Sequence, residues 1–188
     1  MSEVNFGSDG NFSHEQMIRK VNTHLANELG NLCQRTLSMV FKNCDKAIPA
    51  NIQPFTEEDE ALLTKARALR HTCGEAIANQ SIHKYVAAMV SIIWDANKYI
   101  DVMEPWVLKK TDPERMATVL YVIMEVLRYA AILYQPLIPE SANKILDQLT
   151  VPEDERTFDH LDTAIIKGNP ISKPKGIFPR IDLESLRV

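Results

Sequence analysis

The sequence predicts an all-α protein, an antiparallel bundle of about five helices with an extended C-terminal tail that packs back on it. Apolar residues recur at three- to five-residue intervals over long segments, which is the spacing of one helix face. Helix-start residues precede three of these segments, and prolines follow several of them. No run of β-branched residues alternates with polar ones, so no strand competes with the helices.

The first helix begins at Ser13-His-Glu-Gln16, a capping box in which the serine hydroxyl accepts a hydrogen bond from a first-turn amide. Its apolar positions continue to about residue 43, and Pro49 stops any extension. Gly30 lies in the middle of this helix, where it costs about 1 kcal/mol relative to alanine. We expect Gly30 to permit the close approach of another backbone or of a ligand.

Two further helices follow a proline-containing loop. Thr56-Glu-Glu-Asp59 is a second capping box, and it starts a helix that runs to about residue 78. A polar interruption precedes the third helix, which is predicted from residue 82 to about residue 100. The segment Glu104-Pro105-Trp106 ends it, because proline disfavours helix in the residue before it.

The fourth helix is predicted to be the centre of the bundle. It starts at Asp112-Pro113-Glu114, with proline at the first helical position, and runs to residue 134. It is apolar on nearly every side, yet Glu125 and Arg128 interrupt it, which favours a buried helix over a membrane span. Because burying either charge alone would cost several kcal/mol, we predict a structural ion pair between Glu125 and Arg128.

The fifth helix and the tail complete the chain. Pro136 and Pro139 end the fourth helix, and the fifth is predicted over residues 140–149. Beyond it the sequence is extended and rich in proline and lysine, with a short helix expected near Leu161. Three apolar residues of this tail predict that it lies back on the bundle: Ile177, Phe178 and Ile181.

Composition excludes several classes of function. The net charge of −4 argues against a general polyanion binder, so any contact with RNA must be local. Three cysteines without a CxxC pair predict neither a disulfide framework nor a zinc site, but reduced thiols in a cytoplasmic protein. The first ten residues are polar and acidic, with no apolar core of a signal peptide.

Enzymatic functions lack the residues that they require. His14-Glu15 begins a zincin-like pattern, but Ile18 stands where the second histidine is needed. The sequence contains no Glu-x-x-His for a di-iron bundle and no glycine-rich phosphate loop. We therefore predict no catalytic residue, no metal ligand and no cofactor site in this chain.

Asn31, Arg35 and Trp106 remain as candidates for binding. Each has an ordinary structural explanation: a solvated asparagine, an arginine paired with an acid such as Glu28, and a tryptophan that plugs the end of a bundle. The functional interpretation is more specific. Asn31 and Arg35 are four apart on a helix, so together they can read the hydrogen-bonding edge of a nucleobase, such as the one donor and two acceptors of cytosine. Trp106, fixed by Pro105, offers the face on which an unpaired base stacks.

Six segments occur in the order found in a known family. They are Phe6-Gly-Ser-Asp-Gly-Asn-Phe-Ser-His-Glu15, Asn22 through Arg35, Asn97-Lys-Tyr-Ile-Asp-Val-Met-Glu-Pro-Trp106, Leu127-Arg128, Gln135-Pro-Leu-Ile-Pro-Glu-Ser141 and Ile177-Phe-Pro-Arg180. With these segments the chain resembles, over nearly its whole length, the C-terminal anticodon-binding domain of bacterial-type methionyl-tRNA synthetases.

The resemblance implies a helical bundle that reads the CAU anticodon of methionine tRNA. Asn31 and Arg35 match the GN-x-x-x-R helix whose asparagine and arginine contact bases. Pro105 and Trp106 match the proline-tryptophan pair that meets the first anticodon base. The four residues are thus the predicted RNA-binding set, and four lysines are candidates for phosphate contacts: Lys42, Lys98, Lys109 and Lys110.

The resemblance also implies what surrounds this domain. Residues 1–12 match the linker that follows the family's catalytic domain, residues 13–150 the helical bundle, and residues 151–188 the tail. ATP and methionine belong to the catalytic domain, whose motifs are absent here, so we expect no cofactor and no tRNA charging by this chain alone. The expected partners are the anticodon loop of methionine tRNA and the catalytic domain, and the expected form is a cytoplasmic monomer without membrane contact.

Two rival functions are weighed against this one. A stand-alone helical protein-interaction module would use Trp106 as a hydrophobic anchor and the tail as a docking strap. A metal- or cofactor-binding bundle is a third class, but it lacks its ligands.

Overall fold

The computed structural model describes residues 13–182, and within them the predicted all-α architecture is confirmed. The segment predicted as a linker, residues 1–12, lies outside the described residues. The elements in chain order are α1 (His14–Lys20), a π-helical segment (Val21–Gly30), α2 (Asn31–Asn43), α3 (Glu57–Ala78), α4 (Ile82–Met103), α5 (Pro105–Thr111), α6 (Pro113–Tyr134) and α7 (Pro139–Gln148). Short 3₁₀ turns follow at Glu153–Glu155 and Phe158–His160, the second of them where a short helix was expected.

Helix α6 is the centre of the bundle, as its sequence predicts. It packs against α2, α3, α4, α5 and α7. Its composition and length would suit a membrane span, but 94% of its apolar window is buried inside the bundle, as in a core helix. The predicted ion pair is confirmed, with Arg128 Nε 3.0 Å from Glu125 Oε2. Arg128 also donates to the carbonyl oxygens of His160 and Leu161, which ties the tail to the core.

The long first helix is continuous but changes its winding. Between α1 and α2 the chain is π-helical over the ten residues Val21–Gly30, although a π-helix rarely exceeds a single turn. Regular α-helix resumes at Asn31. Asn31 and Arg35 therefore lie one turn apart on the same side of α2, as their spacing predicts.

The C-terminal tail docks on the π-helical segment. The Asn22 side chain donates to the Ile181 carbonyl oxygen at 2.8 Å and accepts from the Ile181 amide at 2.9 Å. A Cβ atom on Gly30 would lie 3.1 Å from the Leu25 carbonyl oxygen and 3.2 Å from Phe178 Cδ2. Gly30 therefore allows the Phe178 ring to approach the helix, and the prediction that the tail packs back on the bundle is confirmed.

This contact predicts opposite effects for two helical glycines. Gly74 lies exposed in α3, and a Cβ there would meet no atom within 4 Å, so Gly74→Ala should raise the free energy of unfolding by about 0.5–1 kcal/mol. Gly30→Leu should lower it by about 1–3 kcal/mol, because the larger side chain displaces Phe178. Urea unfolding measures both changes. Equal stabilisation by the two substitutions would contradict the close contact at Gly30.

Candidate nucleic-acid interface

A sharp corner between α4 and α5 places Trp106. Glu104 caps both helices with φ 44° and ψ 57°, the left-handed conformation that non-glycine residues seldom adopt. Pro105 follows as the first residue of α5 and is buried, which fixes the start of that helix. The sequence indicated the end of α4 but not the short helix that carries Trp106.

Arg35 is held between an acid and an aromatic ring. Its Nη2 atom lies 2.9 Å from Asp101 Oδ1, and its Cζ atom lies 5.4 Å from the centroid of the Trp106 ring. Asp101 is in the last turns of α4, so the acid partner of Arg35 is Asp101 rather than Glu28. Glu28 pairs instead with His24, at 3.0 Å. Both contacts restrict the guanidinium before any ligand arrives.

The four predicted residues occupy one corner of the bundle. Arg35 and Trp106 are in direct contact, and the Trp106 side chain is 40% exposed. Asn31 is exposed one turn before Arg35 on α2. Pro105 is buried beside Trp106 in the chain, so it positions the tryptophan rather than offering a surface of its own. With Asp101, these residues form the candidate interface.

A buried charge network stands behind the corner. The Asp59 carboxylate, fully buried, accepts from both Nη atoms of Arg115 at 2.6 and 2.7 Å, from the Tyr99 hydroxyl at 2.5 Å and from the Thr56 amide at 3.0 Å. Burial raises the pKa of Asp59 most strongly, but the hydrogen bonds from Arg115, Tyr99 and Thr56 together hold that pKa below its ordinary value. The sequence identified Asp59 only as a helix cap, because the arginine is 56 residues away.

The network fixes the helix ends on which the candidate interface depends. It joins the start of α3, the last turns of α4 and the start of α6. Tyr99 precedes Asp101 by two residues, and Arg115 Nη2 also lies 3.7 Å from Met103 Sδ, next to the corner. Buried and half-buried residues therefore help to set the positions of Asp101 and Trp106.

Exposed charges of both signs lie near the candidate interface in the chain. Lys98 on α4 and Lys109 and Lys110 in the last turn of α5 are exposed. Asp101 and Glu104 are exposed there as well, in a chain whose net charge is −4. A contact with RNA would therefore involve individual lysines rather than the whole surface.

A cavity lies elsewhere in the described part of the chain. It has a volume of about 540 Å³ and is lined by residues that include Tyr121, Glu125, Arg128 and Lys167, but none of the candidate interface. Its charged groups already have partners: Glu125 pairs with Arg128, and Lys167 lies over the Tyr121 ring. Within residues 13–182, no three side chains of the metal-ligating types His, Cys, Asp and Glu form a group that could hold a metal ion.

Comparison with known sequence families assigns most of the chain. Residues 48–187 match the family described as the anticodon binding domain of methionyl tRNA ligase. The chain belongs to this family. Residues 1–37 match a second family, tRNA synthetases class I (M). The candidate interface of this anticodon-binding domain draws on both matches, with Asn31 and Arg35 in the second and Asp101 to Trp106 in the first.

Relatives of this anticodon-binding domain are methionine–tRNA ligases. The ligase of Rhizobium meliloti is 48% identical over 182 residues, which are 96% of this chain and 35% of the relative. The ligase of Mycobacterium tuberculosis is 44% identical over 184 residues, with the same two shares. The chain thus spans about a third of the length of the ligases that it matches.

Solved structures share the fold of this anticodon-binding domain. The crystal structure of the free-state Mycobacterium tuberculosis methionyl-tRNA synthetase superposes with a TM-score of 0.93 at 44% identity, covering 96% of this chain and 37% of that one. The structure of the same synthetase bound by methionyl-adenylate gives a TM-score of 0.91, covering 94% of this chain and 36% of that one. The helical architecture and the family assignment therefore agree.

Proposed function

We propose that this chain binds the anticodon loop of methionine tRNA and reads its CAU anticodon by stacking and hydrogen bonding, without chemistry of its own. One observation carries the proposal: the Arg35 guanidinium is held between Asp101 and the half-exposed Trp106 ring, one turn from the exposed Asn31. An edge-reading pair beside a stacking face is what recognition of an unpaired base requires.

The first anticodon base would stack on Trp106, a contact worth about 1–3 kcal/mol. Its edge would then face polar side chains. The Asn31 amide can both donate and accept, whereas the Arg35 guanidinium only donates. Together they match the one donor and two acceptors of cytosine, and uracil presents a donor where cytosine presents an acceptor. A wrong base would leave a group unpaired, which is the physical source of selectivity.

Asp101 and Pro105 would position the side chains that contact the base. Asp101 holds Arg35 through one guanidinium nitrogen, at 2.9 Å, and so reduces the side-chain entropy lost when a base binds. Pro105 fixes the first turn of α5 and with it the direction of Trp106. The exposed lysines would contact phosphates, which adds affinity but no sequence information.

The wider setting is part of the proposal. The relatives are about three times longer than this chain, and we assign methionine activation and tRNA charging, with ATP and methionine, to the remaining part of such a ligase. In that arrangement the catalytic domain is the protein partner, residues 13–150 form the recognition bundle and the tail braces it. Three free cysteines, two of them buried, support a cytoplasmic location.

Titration with RNA stem-loops tests the proposal. A stem-loop that carries CAU should bind this chain in a salt-dependent manner, and loops of unrelated sequence should bind more weakly. Equal binding to all loops would contradict anticodon reading. Stoichiometric capture of a protein by the chain in the absence of RNA, together with no loop preference, would instead support an interaction module.

Arg35→Lys separates the effect of the planar guanidinium on binding from the effect of its positive charge. Lysine keeps the positive charge but loses the planar fork that reads a base edge and stacks on Trp106, so affinity for the CAU loop should fall about tenfold. The salt dependence should stay the same because the number of cations is unchanged. Arg67→Lys is the matched control, since Arg67 pairs with Glu60 on the exposed face of α3. An unchanged affinity of Arg35→Lys would exclude base reading by the planar guanidinium of Arg35.

A further inference from the structure

Trp94 is an exposed indole that the proposed function does not use. It lies on α4 with 61% of its surface exposed, more than Trp106. Among the described residues it has no aromatic or cationic partner. A large ring left in water with a polar N–H at one end is typical of binding surfaces rather than of a fold's interior.

Trp94 shares a stripe of α4 with the candidate interface. Asp101 follows it by seven residues, and an α-helix drifts by only about 20° over that interval, so both side chains project in nearly the same direction. They are about 10 Å apart along the axis. Asn97, between them, reaches the Glu28 carbonyl oxygen at 3.4 Å, which sets this stripe beside the helix that carries Asn31 and Arg35. Trp94 therefore extends the same surface by two turns.

A lysine accompanies the indole. Lys98 lies one turn after Trp94 and is exposed. Among the described residues it has no ion-pair partner, whereas Lys65, which reaches α4 from α3, is paired with Asp95 at 2.9 Å. An aromatic face next to an unpaired cation is the combination that holds a nucleotide, with the ring on the base and the cation on the phosphate.

We propose that Trp94 and Lys98 form a second stacking site, which takes an unpaired nucleotide of the same anticodon loop. The inference rests on the proposed function. Trp94 lies about 10 Å along α4 from Asp101, the residue that holds Arg35, and successive nucleotides of one strand are about 3.4 Å apart, so the two sites are roughly three nucleotides apart. The second site thus holds a base about three positions from the one whose edge Arg35 reads, and Trp94 and Trp106 contact different nucleotides of the same loop.

Tryptophan fluorescence tests the second stacking site directly, because Trp94 and Trp106 are the only two tryptophans in the chain. In Trp106→Phe the tryptophan fluorescence comes from Trp94 only, and in Trp94→Phe it comes from Trp106 only. Saturation with the CAU stem-loop should quench both signals. An unchanged Trp94 signal with a quenched Trp106 signal would overturn the second site and leave the proposed function standing. No binding and no change in either signal would overturn both.

Affinity measurements identify the nucleotide. Trp94→Ala should weaken binding of the CAU stem-loop about five- to tenfold, or about 1–1.4 kcal/mol, whereas Trp94→Phe should retain most of the affinity because phenylalanine keeps a stacking face. Phe158→Ala removes another exposed ring, in the tail, and should leave affinity unchanged. A series of stem-loops, each lacking the base at one loop position, locates the stacked nucleotide. The loss of affinity caused by Trp94→Ala should disappear at one position only, where the base that stacks on Trp94 is missing. A loss that persists at every position, or no loss at all, would overturn the proposal.

Discussion

Trp106→Ala should weaken binding of a CAU stem-loop by about 5- to 150-fold, the range that corresponds to 1–3 kcal/mol for one stacked base. The substitution removes the stacking face and also the ring that lies 5.4 Å from the Arg35 guanidinium. Arg35 would keep only Asp101 as a restraint, so selectivity for the first base should fall together with affinity. Binding titrations with matched and altered loops measure both quantities.

The fold should survive this change. Trp106 is 40% exposed, so its truncation should alter the free energy of unfolding far less than it alters RNA binding. Trp106→Phe retains an aromatic face and should lose less affinity than Trp106→Ala. If Trp106→Ala bound the CAU loop as tightly as the parent chain, the stacking role of Trp106 would be wrong.

Asp59→Ala should lower the free energy of unfolding by about 3–5 kcal/mol, the cost of leaving a buried charge without its partner. The carboxylate accepts two hydrogen bonds from Arg115, whose side chain is only 13% exposed, and one from Tyr99. These three donors and the Thr56 amide would lose their acceptor at once. Asp154 lies exposed in the tail, and Asp154→Ala should change stability by no more than about 0.5 kcal/mol.

The same network predicts a pH dependence on the acid side. The pKa of Asp59 is lower in the folded chain than in the unfolded one, so the folded state favours the ionised form. Its contribution is complete above the unfolded pKa of about 3.9 and is lost as the pH falls through the lower folded value. Urea unfolding below about pH 4 should therefore show a smaller loss of stability in Asp59→Asn than in the parent chain. Identical acid profiles would contradict the depressed pKa.

Local sequence signals were sufficient for most of the helices. Capping boxes and prolines predict the starts of α1, α3 and α6, and the apolar period predicts the ends of α3 and α6. Helix α5 was not predicted, because its seven residues, which begin with Pro105, contain too little periodicity to distinguish a helix from a loop. The π-helical winding of residues 21–30 has no sequence signature, since the same apolar positions suit either helix.

The candidate interface could be predicted only where it is local. The adjacency of Asn31 and Arg35 follows from helical spacing. The contact between Arg35 and Trp106 depends on how α2 packs beside the corner between α4 and α5, which no local pattern encodes. The family resemblance implied only that both side chains meet the anticodon. Asp101 was missed for the same reason: it is 66 residues from Arg35 in sequence, and the nearer Glu28 is occupied by His24.

Recognition of the first anticodon base by this chain is measured by the ratio of two dissociation constants. One is for a methionine tRNA stem-loop with CAU, and the other is for the same stem-loop with its first anticodon base changed to uracil. Stacking on Trp106 with edge reading by Asn31 and Arg35 predicts that the parent chain prefers the CAU loop by about tenfold or more, since each wrong base costs about 1–3 kcal/mol. The preference should be largely lost in Trp106→Ala. A parent chain that binds both loops equally would contradict the account.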